Sequence, residues 1–321
     1  YHTQSYHEII FERKSSVYYL TVKQFIFYTI LLILPTGVLC QDTFSIVAVD
    51  TITMEVGSAG ASCIDGSIII SDVLPGIGAI HTQSFWNQSN QINARNWMNE
   101  GYTAQEIISL LINNDAQNNP SIRQYGIITL DTTSRSAAFT GDNCYNYKNH
   151  IIGPNYAIQG NILLGQEVLD SIEHNFLNTE GPLYVKLMAA MQGANISGAD
   201  SRCLQFETSS LSSFLRLAKE DDRPDSLYID INVNNLDYGI EPIDSLQVLF
   251  DNWFVFEHPF LNGDVDRDSV ISILDLLIIL DFSLGDQVPS YFQSFPSDFD
   301  ENNIINIGDV FYLTNFLLNQ N

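Results

Sequence analysis

Thr43-Phe-Ser-Ile-Val-Ala-Val-Asp-Thr-Ile-Thr-Met-Glu-Val-Gly-Ser-Ala-Gly-Ala61 is the stretch that decides the fold. From Thr43 to Val49 small polar and apolar side chains alternate, the period of a strand with two different faces. Asp50 to Thr53 is a short polar break, and Met54–Ala61 resumes an extended, small-residue run, so the segment reads as a β-hairpin. Working outward, strands are expected at 76–83, 125–130, 136–140, 156–161, 211–217 and 227–231. Thr103-Ala-Gln-Glu106 has the spacing of a capping box and opens an amphipathic helix through Ile112. Helices also fit 165–176, 182–191, with Pro182 in the first turn, and 242–250. Strands come in groups and helices in pairs, which predicts an α+β fold with antiparallel sheets covered by helices.

The chain has 321 residues, 45% of them apolar and 12% aromatic, enough for one large domain and a small one. Thirteen Lys and Arg stand against 38 Asp and Glu, a net charge of −25. So negative a field repels phosphate backbones and excludes nucleic-acid binding, while suiting divalent cations or basic partners. No Met precedes Met54. Lys23 followed by the apolar run to Leu39 and by Cys40-Gln41-Asp42 reads as an export signal over 22–40, with 1–21 an upstream extension. The expected location is secreted or cell-surface, with no membrane span after cleavage. Removing Cys40 leaves Cys63, Cys144 and Cys203. In an oxidising space one disulfide is expected, with Cys144–Cys203 favoured over a pairing with Cys63.

Thr43-Phe-Ser-Ile-Val-Ala48, Gly78-Ala-Ile-His-Thr-Gln83, Phe139-Thr-Gly-Asp142 and Tyr156-Ala-Ile-Gln-Gly-Asn-Ile-Leu163 together resemble the family called domain of unknown function 1028. The resemblance extends through Gly198-Ala-Asp-Ser-Arg202 and Tyr228-Ile-Asp-Ile-Asn232, and covers about residues 43–253. It implies the αββα sandwich of the N-terminal-nucleophile hydrolases. It further implies a catalytic residue at the head of the first strand whose own α-amine is the base, with a reference pKa of ~7.7–8.0. Thr43 matches that position, yet Gln41-Asp42 ahead of it would deny it a free amine. Asn161 is the expected oxyanion donor, His81 a proton shuttle or carbonyl polariser, and Asp142 an orienter of the amine. Arg202 and Gln83 are expected to contact substrate. Two readings stay open, an amide or acyl hydrolase and a non-catalytic ligand-binding protein on the same fold.

After a linker at 254–261, residues 262–321 carry a repeated pattern. Asp264, Asp266, Asp268, Val270 and Asp275 fill positions 1, 3, 5, 7 and 12 of one loop; Asp298, Asp300, Asn302, Ile304 and Asp309 fill them in another. Four oxygen side chains and one backbone carbonyl at this spacing follow EF-hand logic and predict two Ca²⁺ ions. Two loop-helix units closed by Asp resemble a dockerin module, which implies an all-α calcium-binding tail and a cohesin-like partner, or anchorage to a polysaccharide-degrading assembly. Position 6, usually glycine, is Ser269 in one loop and Asn303 in the other.

Overall fold

The computed structural model describes residues 43–130, 135–234 and 236–319; the proposed extension 1–21 and signal 22–40 lie outside them. The hairpin is present. β1 (Thr43–Asp50) pairs antiparallel with β2 (Glu55–Ser62), Thr43 opposite Ser62 and Asp50 opposite Glu55. Asp50 closes the turn by accepting from the amides of Ile52 (2.8 Å) and Thr53 (3.3 Å), the local bonding that makes Asp a turn residue.

β3 (Ser71–Leu74), β4 (Gly78–Ser84), β5 (Arg123–Thr129) and β6 (Ser136–Thr140) form one sheet in sequence order. The other adds β7 (Asn149–Ile152), β8 (Tyr156–Gly160), β9 (Ser212–Ala218) and β10 (Ile229–Val233) in the order β10-β9-β2-β1-β8-β7. All these pairings are antiparallel.

Strand parity assigns the layers. Phe44, Ile46 and Ala48 point outward and pack beneath α3 (Gln166–Asn178), α4 (Leu183–Gly193) and α5 (Pro242–Glu257). Ile80, Tyr125 and Ile127 pack beneath α1 (Gln88–Asn99) and α2 (Ala104–Asn113). Val47, Val49 and Val56 face Val73, Ala79 and Ile128 across the gap between the sheets. The molecule is therefore layered helix, sheet, sheet, helix. Each fully buried Phe, Ile or Leu in these cores contributes ~1.5–3 kcal/mol relative to exposure.

The capping box at Thr103 is formed in both directions, Glu106 N to Thr103 Oγ1 at 3.3 Å and Thr103 N to Glu106 Oε2 at 2.9 Å. α1 has no counterpart among the expected helices. Its buried face is Asn90, Gln91, Ala94 and Met98, so half of the positions that should read apolar are amides and the period is hidden.

Two expectations fail. The disulfide joins Cys63 to Cys203, while Cys144 is a buried thiol donating to the Arg123 carbonyl at 3.2 Å. Cys63 directly follows β2 and Cys203 lies in the short helical turn Ser201–Phe206, so the bridge pins that turn to the sheet, a placement only the folded chain creates. The first half of the linker expected at 254–261 is helix, and 258–261 is irregular. α5 runs through Glu257, and Phe254 is fully buried with the first domain's residues.

Beyond it lie α6 (Ile273–Leu284), α7 (Tyr291–Ser297) and α8 (Ile307–Leu318) around a small core of Val265, Ile279, Phe282 and Leu313. α7 is seated on α5 by aromatic contacts. Phe254 meets Tyr291 at 4.7 Å, Phe292 at 4.9 Å and Phe295 at 5.3 Å between ring centroids, and the Tyr291 hydroxyl donates to Asp251. Among the described residues no helix is long and apolar enough to cross a membrane.

Candidate functional site

One end of the space between the sheets is apolar; the other is not. Where β1 begins, its inward positions are Thr43 and Ser45, and they meet the inward residues of β4, β5 and β8: His81, Gln83, Gln124 and Gln159. All are fully buried or nearly so. Gln124 is the hub. Its Oε1 accepts from Gln83 Nε2 (2.8 Å) and Asn161 Nδ2 (2.9 Å), while its Nε2 lies within hydrogen-bond reach of Thr140 Oγ1, the Asn149 carbonyl and the Gly160 carbonyl. Gln83 Nε2 also reaches the Thr43 carbonyl at 3.2 Å, an oxygen that accepts the Asn161 amide at 3.1 Å.

A second branch runs deeper. Ser45 Oγ donates to Gln83 Oε1 (2.7 Å) and accepts from Gln159 Nε2 (2.6 Å). Gln159 Nε2 also lies 3.1 Å from His81 Nδ1, and His81 Nε2 lies 2.6 Å from Ser58 Oγ. With Gln159 donating to Nδ1, the proton of His81 sits on Nε2 and points at Ser58. Burial, helped by the Arg216 charge, lowers the His81 pKa to about 3, so the ring is neutral.

Within this bonded interior a few polar atoms have no partner among the described residues. They include Thr43 Oγ1, Asn161 Oδ1 and Gln159 Oε1. Buried hydroxyls are almost always bonded, so each orphan calls for a partner that the described residues do not supply. Backbone strain sits beside it. Ser84, after Gln83, and Ile162, after Asn161, have φ of 67° and 53°. The second is a β-branched residue in the left-handed region, where Cβ crowding makes it a true outlier.

Of the residues singled out from sequence, the structure brings Thr43, Gln83 and Asn161 into direct contact and sets His81 three hydrogen bonds inward of Gln83, through Ser45 and Gln159. Asp142 lies on an exposed turn after β6, where its carbonyl accepts from Lys148 Nζ. Arg202 is paired to fully buried Asp200 at 2.6 Å, and Asp200 also accepts the Cys63 amide at 3.0 Å. Since Ser62 pairs with Thr43, this ion pair stands at the rim of the same end. Ser45, Ser58, Gln124 and Gln159 were not anticipated. The available signal was parity: each lies on its strand's inward face, in step with Val47, Ala79 or Ile128.

A family model described as Family of unknown function (DUF1028) matches residues 43–246. The chain belongs to this family. Among the described residues the DUF1028 match spans all ten strands, both sides of the polar interior and the start of α5. A solved DUF1028 structure, protein SPO2555 from Silicibacter pomeroyi, is similar in fold with a TM-score of 0.55 and 19% identity, over 66% of this chain and 89% of that one. No curated protein matches the chain.

Outside the DUF1028 region, the two acidic loops adopt one geometry. Asp264 Oδ1 accepts from Asp268 N (3.1 Å) and Asp298 Oδ1 from Asn302 N (3.0 Å); Asp275 and Asp309 accept from Ser272 N and Asn306 N, both at 2.8 Å. Ser269 and Asn303 both have positive φ, 71° and 66°. Carboxylate oxygens of Asp264, Asp266 and Asp268, and of Asp298, Asp300 and Asp309, lie within 4.8 Å of one another. An all-oxygen donor set of this size fits a hard divalent cation such as Ca²⁺ and offers no soft ligand to a thiophilic metal. Asp266 has its pKa raised, chiefly by desolvation and also by Asp275, Asp268 and Asp264.

Proposed function

We propose that this DUF1028 protein is an exported acyl-bond hydrolase of the N-terminal-nucleophile type, acting on an amide, with a calcium-binding tail that docks it to a partner. The unpartnered Thr43 Oγ1 at the head of β1 carries the reading. With Gln41 and Asp42 removed, the Thr43 amine takes the hydroxyl proton as Oγ1 attacks the acyl carbon. The leaving amine collects that proton as the C–N bond breaks, and water then hydrolyses the Thr43 ester. Gln83 and Gln124 hold the Thr43 main chain in place. Asn161 Nδ2 now donates to Gln124, so its amide must turn over to serve the oxyanion. His81 is neutral and fully bonded and acts as a buttress rather than a shuttle, and Asp142 takes no part. Asp200 and Arg202 shape the rim.

Ca²⁺ would be held by the five loop positions of each repeat and would supply ordering of a tail whose own core is only a few side chains. Dockerin-like use of that tail on a cohesin-like partner, in a polysaccharide-degrading assembly or on the cell surface, rests on the repeat pattern.

The rival, a ligand-binding protein without catalysis, is favoured by the burial of Thr43 and by the engagement of Gln83, Gln124 and Asn161 with one another. N-terminal sequencing of exported protein, followed by an amide library, separates the two. Thr43 at the front, activity retained in Thr43→Ser and lost in Thr43→Ala, supports the hydrolase. An intact Gln41-Asp42 in ligand-binding material supports the rival.

A further inference from the structure

A cleft of about 790 Å³ lies away from the Thr43 end, between the α3–α4 face of the first domain and the segment leading into α7. Most of its wall comes from the first domain and the rest from residues 288–293 of the tail, so it exists because α7 is seated. Its polar wall is made of amides and hydroxyls. Asn178, Gln192 and Gln247 come from one side, Ser290 and Gln293 from the other, and the one charged group is the exposed carboxylate of Glu180. The amides are held in a ladder. Asn195 Nδ2 donates to Gln192 Oε1 at 3.1 Å, Gln192 Nε2 to Gln247 Oε1 at 3.2 Å, and Gln247 Nε2 to Asp251 Oδ1 at 2.7 Å. The floor is apolar, from Val185, Met188 and Ala189.

This chemistry narrows the occupant. No Lys, Arg or His lines the cleft, so anions find no counter-charge. A sugar ring seeks a presented aromatic face, but the ring of Tyr291 is packed against Phe250, Phe254 and Phe295 and its hydroxyl is on Asp251. The amide hydrogens and lone pairs that the ladder leaves unused, such as those of Gln192 and Gln293, can pair with the N–H and C=O of an extended main chain, and an apolar floor receives alternate side chains. A chain of net charge −25 with a carboxylate at the cleft's edge attracts cations.

We infer that this inter-module cleft binds an extended peptide segment bearing basic and small apolar side chains in alternation. The probe is a fluorescein-labelled hexapeptide of alternating Lys and Val, titrated into the full chain by fluorescence polarisation. The expected result is micromolar binding that weakens as salt rises. It should fall by about tenfold or more in Glu180→Lys, a surface change that leaves the fold alone, and in Ala189→Trp, which fills the floor. A thermal melt of each variant guards against misfolding. Equal binding of an alternating Glu–Val peptide, displacement by cellotetraose, indifference to both variants, or no binding up to about 1 mM would each overturn the proposal.

Discussion

The gap between the two sheets is filled by two materials, and the contrast between them is the main lesson of the molecule. At one end Val47, Val49, Val56, Val73 and Ile128 close a buried apolar contact. At the other, four strands contribute Ser45, His81, Gln83, Gln124 and Gln159 to a buried hydrogen-bond network. The apolar end holds the sheets together through area removed from water. The polar end adds little net stability, because each bond replaces one made to water. It is demanding all the same, since a single lost partner leaves several others buried and unsatisfied. This costly arrangement, beside the orphan Thr43 hydroxyl, is what the proposed function rests on.

That contrast is testable by paired substitutions. Gln124→Leu keeps volume but strands Gln83, Asn161 and three acceptors, and should cost at least ~3 kcal/mol by urea denaturation. Val47→Ala, which removes more volume, should cost only ~2 kcal/mol. The reverse order would show that the polar end is not a coupled network. Next in size is the Cys63–Cys203 bridge, which spans 140 residues. Replacing both cysteines by serine should lower stability by ~2–4 kcal/mol, and an unchanged melting temperature would mean the turn carrying Asp200 and Arg202 is held by other contacts.

His81 gives the polar end a pH signature. Its pKa is about 3 when folded and ~6.5 when unfolded, so the unfolded chain takes up a proton first. Its contribution is present in full above ~6.5 and is lost as pH falls toward about 3, at up to ~1.4 kcal/mol per pH unit. His81→Gln should flatten that part of the profile, whatever it does to stability at pH 7. The smallest effect belongs to the tail. Ser269→Gly relieves a left-handed backbone and should stabilise the tail by ~1 kcal/mol, whereas Asn303→Gly should change it less, because Asn tolerates that region. If the proposed Ca²⁺ orders these loops, EDTA should lower the tail's melting temperature and Ser269→Gly should partly restore it.

The sequence and the structure divided the work along the line between near and far. The hairpin at Thr43–Ala61, the capping box at Thr103 and the two acidic loops were legible because each is fixed by residues within about a dozen positions of one another. Helix α1 escaped because Asn90 and Gln91, which turn inward to Asp115, Tyr125 and the Ile69 and Ile70 carbonyls, read as surface. The Cys63–Cys203 pairing, the seating of α7 on Phe254 and the meeting of Gln83 with Gln124 and Asn161 were not legible. Each joins residues tens to more than a hundred positions apart, and which of them meet is set by sheet order and strand parity. Spacing along the chain specified turns, caps and a repeated oxygen-ligand pattern, since those depend on local backbone geometry; only the packed sheets decided which buried amides share hydrogen bonds, since burial and partner are properties of the assembled fold.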